Sequence, residues 1–110
     1  MYDLTTLLLH AAEKKTSDVH LTVGLPPVLR IDGALRDYGD TPLTDEDLFD
    51  AARQLADKGQ LEELGATGEV DFAVTFASQI RMRCNIYRQQ RHTAMALRLL
   101  PMTIPTAEEL

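Results

Sequence analysis

Residues 79–101, QIRMRCNIYRQQRHTAMALRLLP, decide how this sequence folds. Ile80, Met82, Cys84 and Ile86 recur at every second position, as do Met95, Leu97 and Leu99. That is the period of strands with one buried face. Taking Gln89 to His92 as the turn sets Arg88 against Thr93; Ile86 then faces Met95, Cys84 faces Leu97 and Met82 faces Leu99. Apolar residues then meet apolar residues, which fixes a register wherever one face is buried. The same register places Arg83 opposite Arg98 on the other face, flanked by Ala94 and Ala96, whose small side chains leave that face open. Two guanidinium groups directly across a ladder repel by about 0.2–1 kcal/mol. An anion would neutralise them, and a planar fork of donors suits phosphate or carboxylate. Without any ligand, Asp71 or Glu69 could instead pair with Arg83, and the pattern leaves both readings open. QQRH contains no glycine and is a poor turn signal, so the register rests on the apolar matching alone.

The preceding segment extends the argument. Val70, Phe72, Val74 and Phe76 share one face, and the same test pairs Phe72 with Cys84 and Val74 with Met82. Asp71 then lies diagonally near Arg83. Nearer the start, Leu4, Leu7, Leu8, Ala11 and Ala12 follow helical spacing, with Asp3 or Thr5 able to start the helix. Val19, Leu21 and Val23 alternate with Asp18, His20 and Thr22 as in a half-buried strand. Pro26-Pro27 break the chain, and VLRIDGALRDY reads as a hairpin turning at Asp32-Gly33. Thr44 caps a helix that carries Leu48, Ala51, Ala52 and Leu55 and is expected to run until Gly59. A short helix around Leu61 and Leu64 is expected to end at Gly65. The string α-β-β-β-α-α-β-β-β predicts an α+β domain, a mainly antiparallel sheet of about six strands with helices packed on one face.

Composition narrows the function. The 110 residues are enough for one core. With 45% hydrophobic and 25% charged residues the chain is ordinary for a globular protein. The formal charge of −6 argues against a nucleic-acid coat, which needs a broad basic surface. It leaves room for a local anion site. No apolar run approaches the ~20 residues of a membrane helix, so direct membrane insertion is not expected. The single cysteine, Cys84, cannot form an internal disulfide and fits a reducing cytosol.

Other candidates have simpler readings. His10, His20 and His92 stand on three separate elements without metal-ligand spacing, and no metal residue is expected. Asp45, Glu46, Asp47 and Asp50 suit the start of a helix better than a calcium loop, lacking the loop's glycine and terminal glutamate. Thr16-Ser17-Asp18 offers hydroxyls with no histidine placed to activate them. No G-x-x-x-x-G-K-[ST] occurs, so this stretch has no phosphate-cradling loop of its own.

TSDVHLTVGLPPVLRIDGALR, EVDFAVTF, RMRCNIYRQQ and ALRLLPMTIPTAEEL together resemble the N-terminal domain of type IV pilus retraction ATPases, the PilT family of the secretion ATPase superfamily. The resemblance covers nearly the whole chain, in order. A helix opening close to Met1 is more similar to the retraction ATPases than to the pilus-assembly or type II secretion relatives. It implies a PAS-like N-terminal domain over residues 1–100 and a linker over 101–110 leading towards a RecA-like ATPase domain. It implies no catalytic residues and no cofactor of this fragment's own, in an ATPase that uses ATP and Mg. The expected setting is a cytoplasmic homohexamer, peripheral to the inner membrane through the pilus machine and driving twitching motility. The domain's partners would be its own ATPase domain and neighbouring subunits. By motif position the resemblance assigns Arg83 and Arg98 to the ATP phosphates, the two residues that the register had already paired. Met82 and Cys84 stand where the family commonly has phenylalanine and valine, and His92 where a glycine is common. The rival expectations are a stand-alone PAS-like ligand-binding or sensor module and a subunit-interaction module whose arginines form interface salt bridges.

Overall fold

Asp3 starts the first helix, its carboxylate accepting from the Thr6 backbone N–H at 3.1 Å and the Thr6 hydroxyl at 2.6 Å. The computed structural model describes residues 2–100. Along them run α1 (Leu4–Glu13), β1 (Asp18–Thr22), β2 (Val28–Ile31), β3 (Ala34–Asp37), α2 (Asp45–Leu55), α3 (Lys58–Thr67), β4 (Glu69–Phe76), β5 (Ile80–Gln89) and β6 (His92–Leu99). The expected element order and the α+β class are found. The proposed linker, residues 101–110, lies outside the described residues.

Two helix boundaries differ from the sequence reading. The second helix stops at Leu55 rather than reaching Gly59, and the third passes through Gly65 to Thr67. Asp57 and Gln60 form a reciprocal capping box that starts α3 ahead of Gly59. The terminating glycine is Gly68, at φ 87°, where the left-handed conformation is open to a residue without a Cβ.

The strands form one antiparallel sheet in the order β3-β2-β1-β6-β5-β4. Both expected registers hold: Cys84 pairs with Leu97 and with Phe72, Met82 with Leu99 and with Val74. The first and last strands meet at the sheet's centre, with Val19 opposite Leu97 and Leu21 opposite Met95. Val19, Leu21, Met82, Cys84, Ile86, Met95 and Leu97 are almost fully buried. They pack with Leu4, Leu7 and Leu8 of α1 and Leu48 and Ala51 of α2 in a single core. Burying each such aliphatic side chain contributes roughly 1.5–3 kcal/mol. The helices thus cover one face of the sheet and leave the other uncovered.

The hairpin joining β5 and β6 turns on Gln90 (φ 52°) and Arg91 (φ 74°), both left-handed without being glycine. Strand pairing on either side imposes a conformation that the residues themselves disfavour. Changing the pair to Asn-Gly is expected to stabilise the domain by about 0.5–1 kcal/mol. A rise of a few degrees in the thermal midpoint checks this, and a fall would mean the two side chains hold the turn by contacts of their own.

Candidate functional site

On the uncovered face, alternate residues of five strands stand in rows. Arg83 pairs with Arg98 across the β5–β6 ladder, as the apolar matching required. Arg98 also stands opposite Asp18, and Asp18 opposite Arg30, so one row reads Arg30, Asp18, Arg98, Arg83 across the sheet. The next row carries His20, Ala96, Asn85 and Asp71.

Both arginine side chains face solvent, Arg83 57% exposed and Arg98 72% exposed. Arg83 Nη2 lies 3.5 Å from Asp71 Oδ1 and Arg98 Nε 3.6 Å from Asp18 Oδ1. Arg30 Nε approaches the other oxygen of Asp18, at 3.7 Å. These are charge contacts longer than good hydrogen bonds, and exposed pairs of this kind contribute about 0.2–1 kcal/mol each. Asn85 is held aside, donating to Glu69 Oε2 at 2.9 Å. Arg30, Arg83 and Arg98 thus stand among Asp18, Asp71 and Glu69, so positive and negative charges balance here in a chain of −6. Asp18, His20, Asp71, Asn85, Ala96 and the arginine pair line a shallow depression of about 340 Å³.

The diagonal Asp71–Arg83 contact was readable from the sequence; the Asp18–Arg98 contact was missed. Its only signal was that Asp18 alternates with Val19 and so shares the polar face. Nothing local says that β1 lies beside β6. One expectation needs correction. Ala96 is partly exposed, but Ala94 is 1% exposed, so the face is not open on that side. Its cross-strand neighbours are Tyr87 and Thr22, and a methyl group between larger residues is covered by them.

The remaining candidates have contacts of their own. His10 packs at a tilt against Tyr38 with ring centroids 5.1 Å apart, His20 faces the depression, and His92 Nδ1 lies 2.8 Å from Asp45 Oδ1. Asp47 completes the Thr44 capping box, and Asp50 pairs with Arg53 at 3.2 Å. Cys84 points into the core, and its thiol is pushed up to about 12, chiefly by burial and secondarily by the Asp71 charge. Its folded value exceeds its unfolded one. The resulting stabilisation is therefore full below about pH 9 and is lost as pH rises from there towards 12. At pH 8 the native thiol is expected to resist iodoacetamide, reacting only as the domain opens; rapid labelling of the folded chain would contradict its burial.

Comparisons with known proteins show what the chain is similar to. No protein-family model matches the chain. The type IV pilus retraction ATPase PilT of Pseudomonas aeruginosa is 32% identical over 108 residues, 98% of this chain and 31% of PilT. A crystal structure of the pilus retraction motor PilT with bound ADP superimposes on all of this chain with a TM-score of 0.82 at 36% identity, covering 32% of that chain. The chain is a homologue of the N-terminal part of the PilT-family pilus ATPases. The type IV pilus ATPase PilU of the same organism agrees, 30% identical over 104 residues, 94% of this chain and 27% of PilU. The chain therefore spans about a third of the length of the PilT relatives it matches. The ATPase DotB of Legionella pneumophila shares the fold, with a TM-score of 0.75 at 22% identity over 96% of this chain and 30% of its own. The six-stranded sheet with three helices is thus the PilT N-terminal architecture. Among the described residues, no helix is long and apolar enough to cross a membrane.

Proposed function

We propose that this chain is the non-catalytic N-terminal domain of a PilT-type pilus retraction ATPase. In this reading, residues 101–110 lead on to the ATPase domain, and Arg83 and Arg98 donate to the phosphates of ATP bound there. The observation that carries it is the pair of exposed arginines at directly opposed positions of β5 and β6, on the sheet face that this domain's helices leave uncovered. Two exposed guanidinium groups on one open face, each in only a long ion pair, are suited to a ligand with several negative charges.

ATP and Mg belong to the catalytic domain, which supplies the phosphate cradle and the hydrolytic chemistry. This domain's residues bind and orient. Each charged donor is worth about 1.5–3 kcal/mol to a phosphate oxygen. A nucleotide gripped from both sides favours the closed arrangement of the two domains by its differential affinity for that arrangement. Loss of the terminal phosphate removes part of that preference and lets the domains part. Coupled around a cytoplasmic homohexamer, that movement is the stroke offered to the pilus machine at the inner membrane.

The test is ATP turnover by the full-length enzyme with either arginine replaced by alanine. Intact oligomers turning over at the wild-type rate would remove the reading. Binding of a small ligand to residues 1–110 alone, unaffected by those substitutions, would favour the sensor alternative.

A further inference from the structure

We propose that Asp18 is the resident counter-ion of Arg98, a positioning residue that holds the guanidinium on the β1 side of its strand and gives it up when phosphate arrives. This rests on the phosphate reading of the arginine pair and assigns a regulator to that same site.

The two oxygens of Asp18 are used differently. Oδ2 accepts a hydrogen bond from the Ser17 hydroxyl at 2.9 Å and lies 3.7 Å from Arg30 Nε. Oδ1 faces Arg98 Nε at 3.6 Å. The carboxylate is therefore anchored through one oxygen and offers the other. If Arg98 swings towards a ligand, Asp18 keeps Arg30 and Ser17 and is not stranded. Asp71 differs: among the described residues Arg83 is its one ion-pair partner.

Arg98 meets Asp18 through Nε, on the inner edge of its fork. Among the described residues Asp18 is the one carboxylate that pairs with Arg98, and the exposed guanidinium can engage a phosphate before that contact breaks. The contact itself is long and, on the arginine side, 72% exposed, so it is loose enough to exchange. Asp18 is only 24% exposed and is fixed by its strand between β2 and β6, so its position survives the exchange. A fixed carboxylate beside a mobile guanidinium sets a threshold. An incoming anion must outcompete it, and once that anion leaves, Asp18 draws Arg98 back.

The experiment uses the full-length ATPase. Asp18→Asn keeps the shape and the Ser17 contact while removing the competing charge. It is expected to lower the KM for ATP roughly twofold to fivefold, the factor that an exposed ion pair carries, without raising kcat. Asp18→Glu keeps the charge and is expected to retain the wild-type KM. In an Arg98→Ala background, Asp18→Asn should no longer move KM. Mere loosening of β1 would act in the opposite direction, raising KM and lowering the thermal midpoint. A KM unchanged or raised in Asp18→Asn, with Arg98→Ala still impairing turnover, would overturn the counter-ion role and leave the phosphate reading standing. Unimpaired turnover in both Arg83→Ala and Arg98→Ala would overturn the phosphate reading, and this inference with it.

Discussion

Replacing Arg83 or Arg98 by alanine in the full-length ATPase is expected to lower kcat/KM for ATP by roughly 10- to 150-fold. That range is the loss of one charged donor, about 1.5–3 kcal/mol at about 1.4 kcal/mol per tenfold. Arg→Lys should recover part of it, since a lysine restores the charge but not the two-pronged fork. The double variant should lose less than the product of the single losses, because groups gripping one ligand are coupled. Domain stability should hardly move. Both side chains are more than half exposed, and their ion pairs are long. The discriminating result is therefore a fall in turnover at an unchanged thermal midpoint. Turnover and melting falling together would mark a structural role instead, and a wild-type rate would mark the arginines as ordinary surface residues.

The arginine pair was legible because everything that fixes it is local. Residues 80–99 contain both strands, and alternation of Met82, Cys84 and Ile86 against Met95, Leu97 and Leu99 admits one register that puts all six on the core face. This held although the turn residues argued against it, since Gln90 and Arg91 adopt left-handed angles that nothing in their chemistry favours. Pairing along two strands outweighs the strain at their junction. Asp18 was not legible for the opposite reason. Its partner lies eighty positions away, and the pairing of β1 with β6 joins the two ends of the chain at the centre of the sheet. Alternation showed which face Asp18 occupies but not which strand lies alongside. The helix boundaries failed on a smaller scale. Glycine was read as punctuation at Gly59 and Gly65, whereas the Asp57–Gln60 box sets the start and Gly68 alone takes the left-handed angle that sets the end.

Leu97→Ala is expected to destabilise the domain by about 2–5 kcal/mol, the range for emptying a packed leucine site. Leu97 is 1% exposed, at the centre of the sheet between Val19 and Cys84, which are both 0% exposed. Main-chain pairing on both sides limits how far the cavity can collapse, which argues for the upper part of that range. Domains of this size hold only about 5–15 kcal/mol in total, so the variant forfeits a large share of its stability. Its urea midpoint should drop sharply at unchanged slope, while Leu97→Met, which nearly conserves volume, should lose less than about 1.5 kcal/mol. The contrast with the next residue gives the measurement its force. Leu97 and Arg98 are successive positions of one strand, and the pleat sends one into the core and the other to the open face. Substitution at Leu97 should act on folding, and substitution at Arg98 on turnover. A loss below about 1 kcal/mol at Leu97 would mean that the core side of β6 is not closely packed, and the register that aligns the arginines would lose its support.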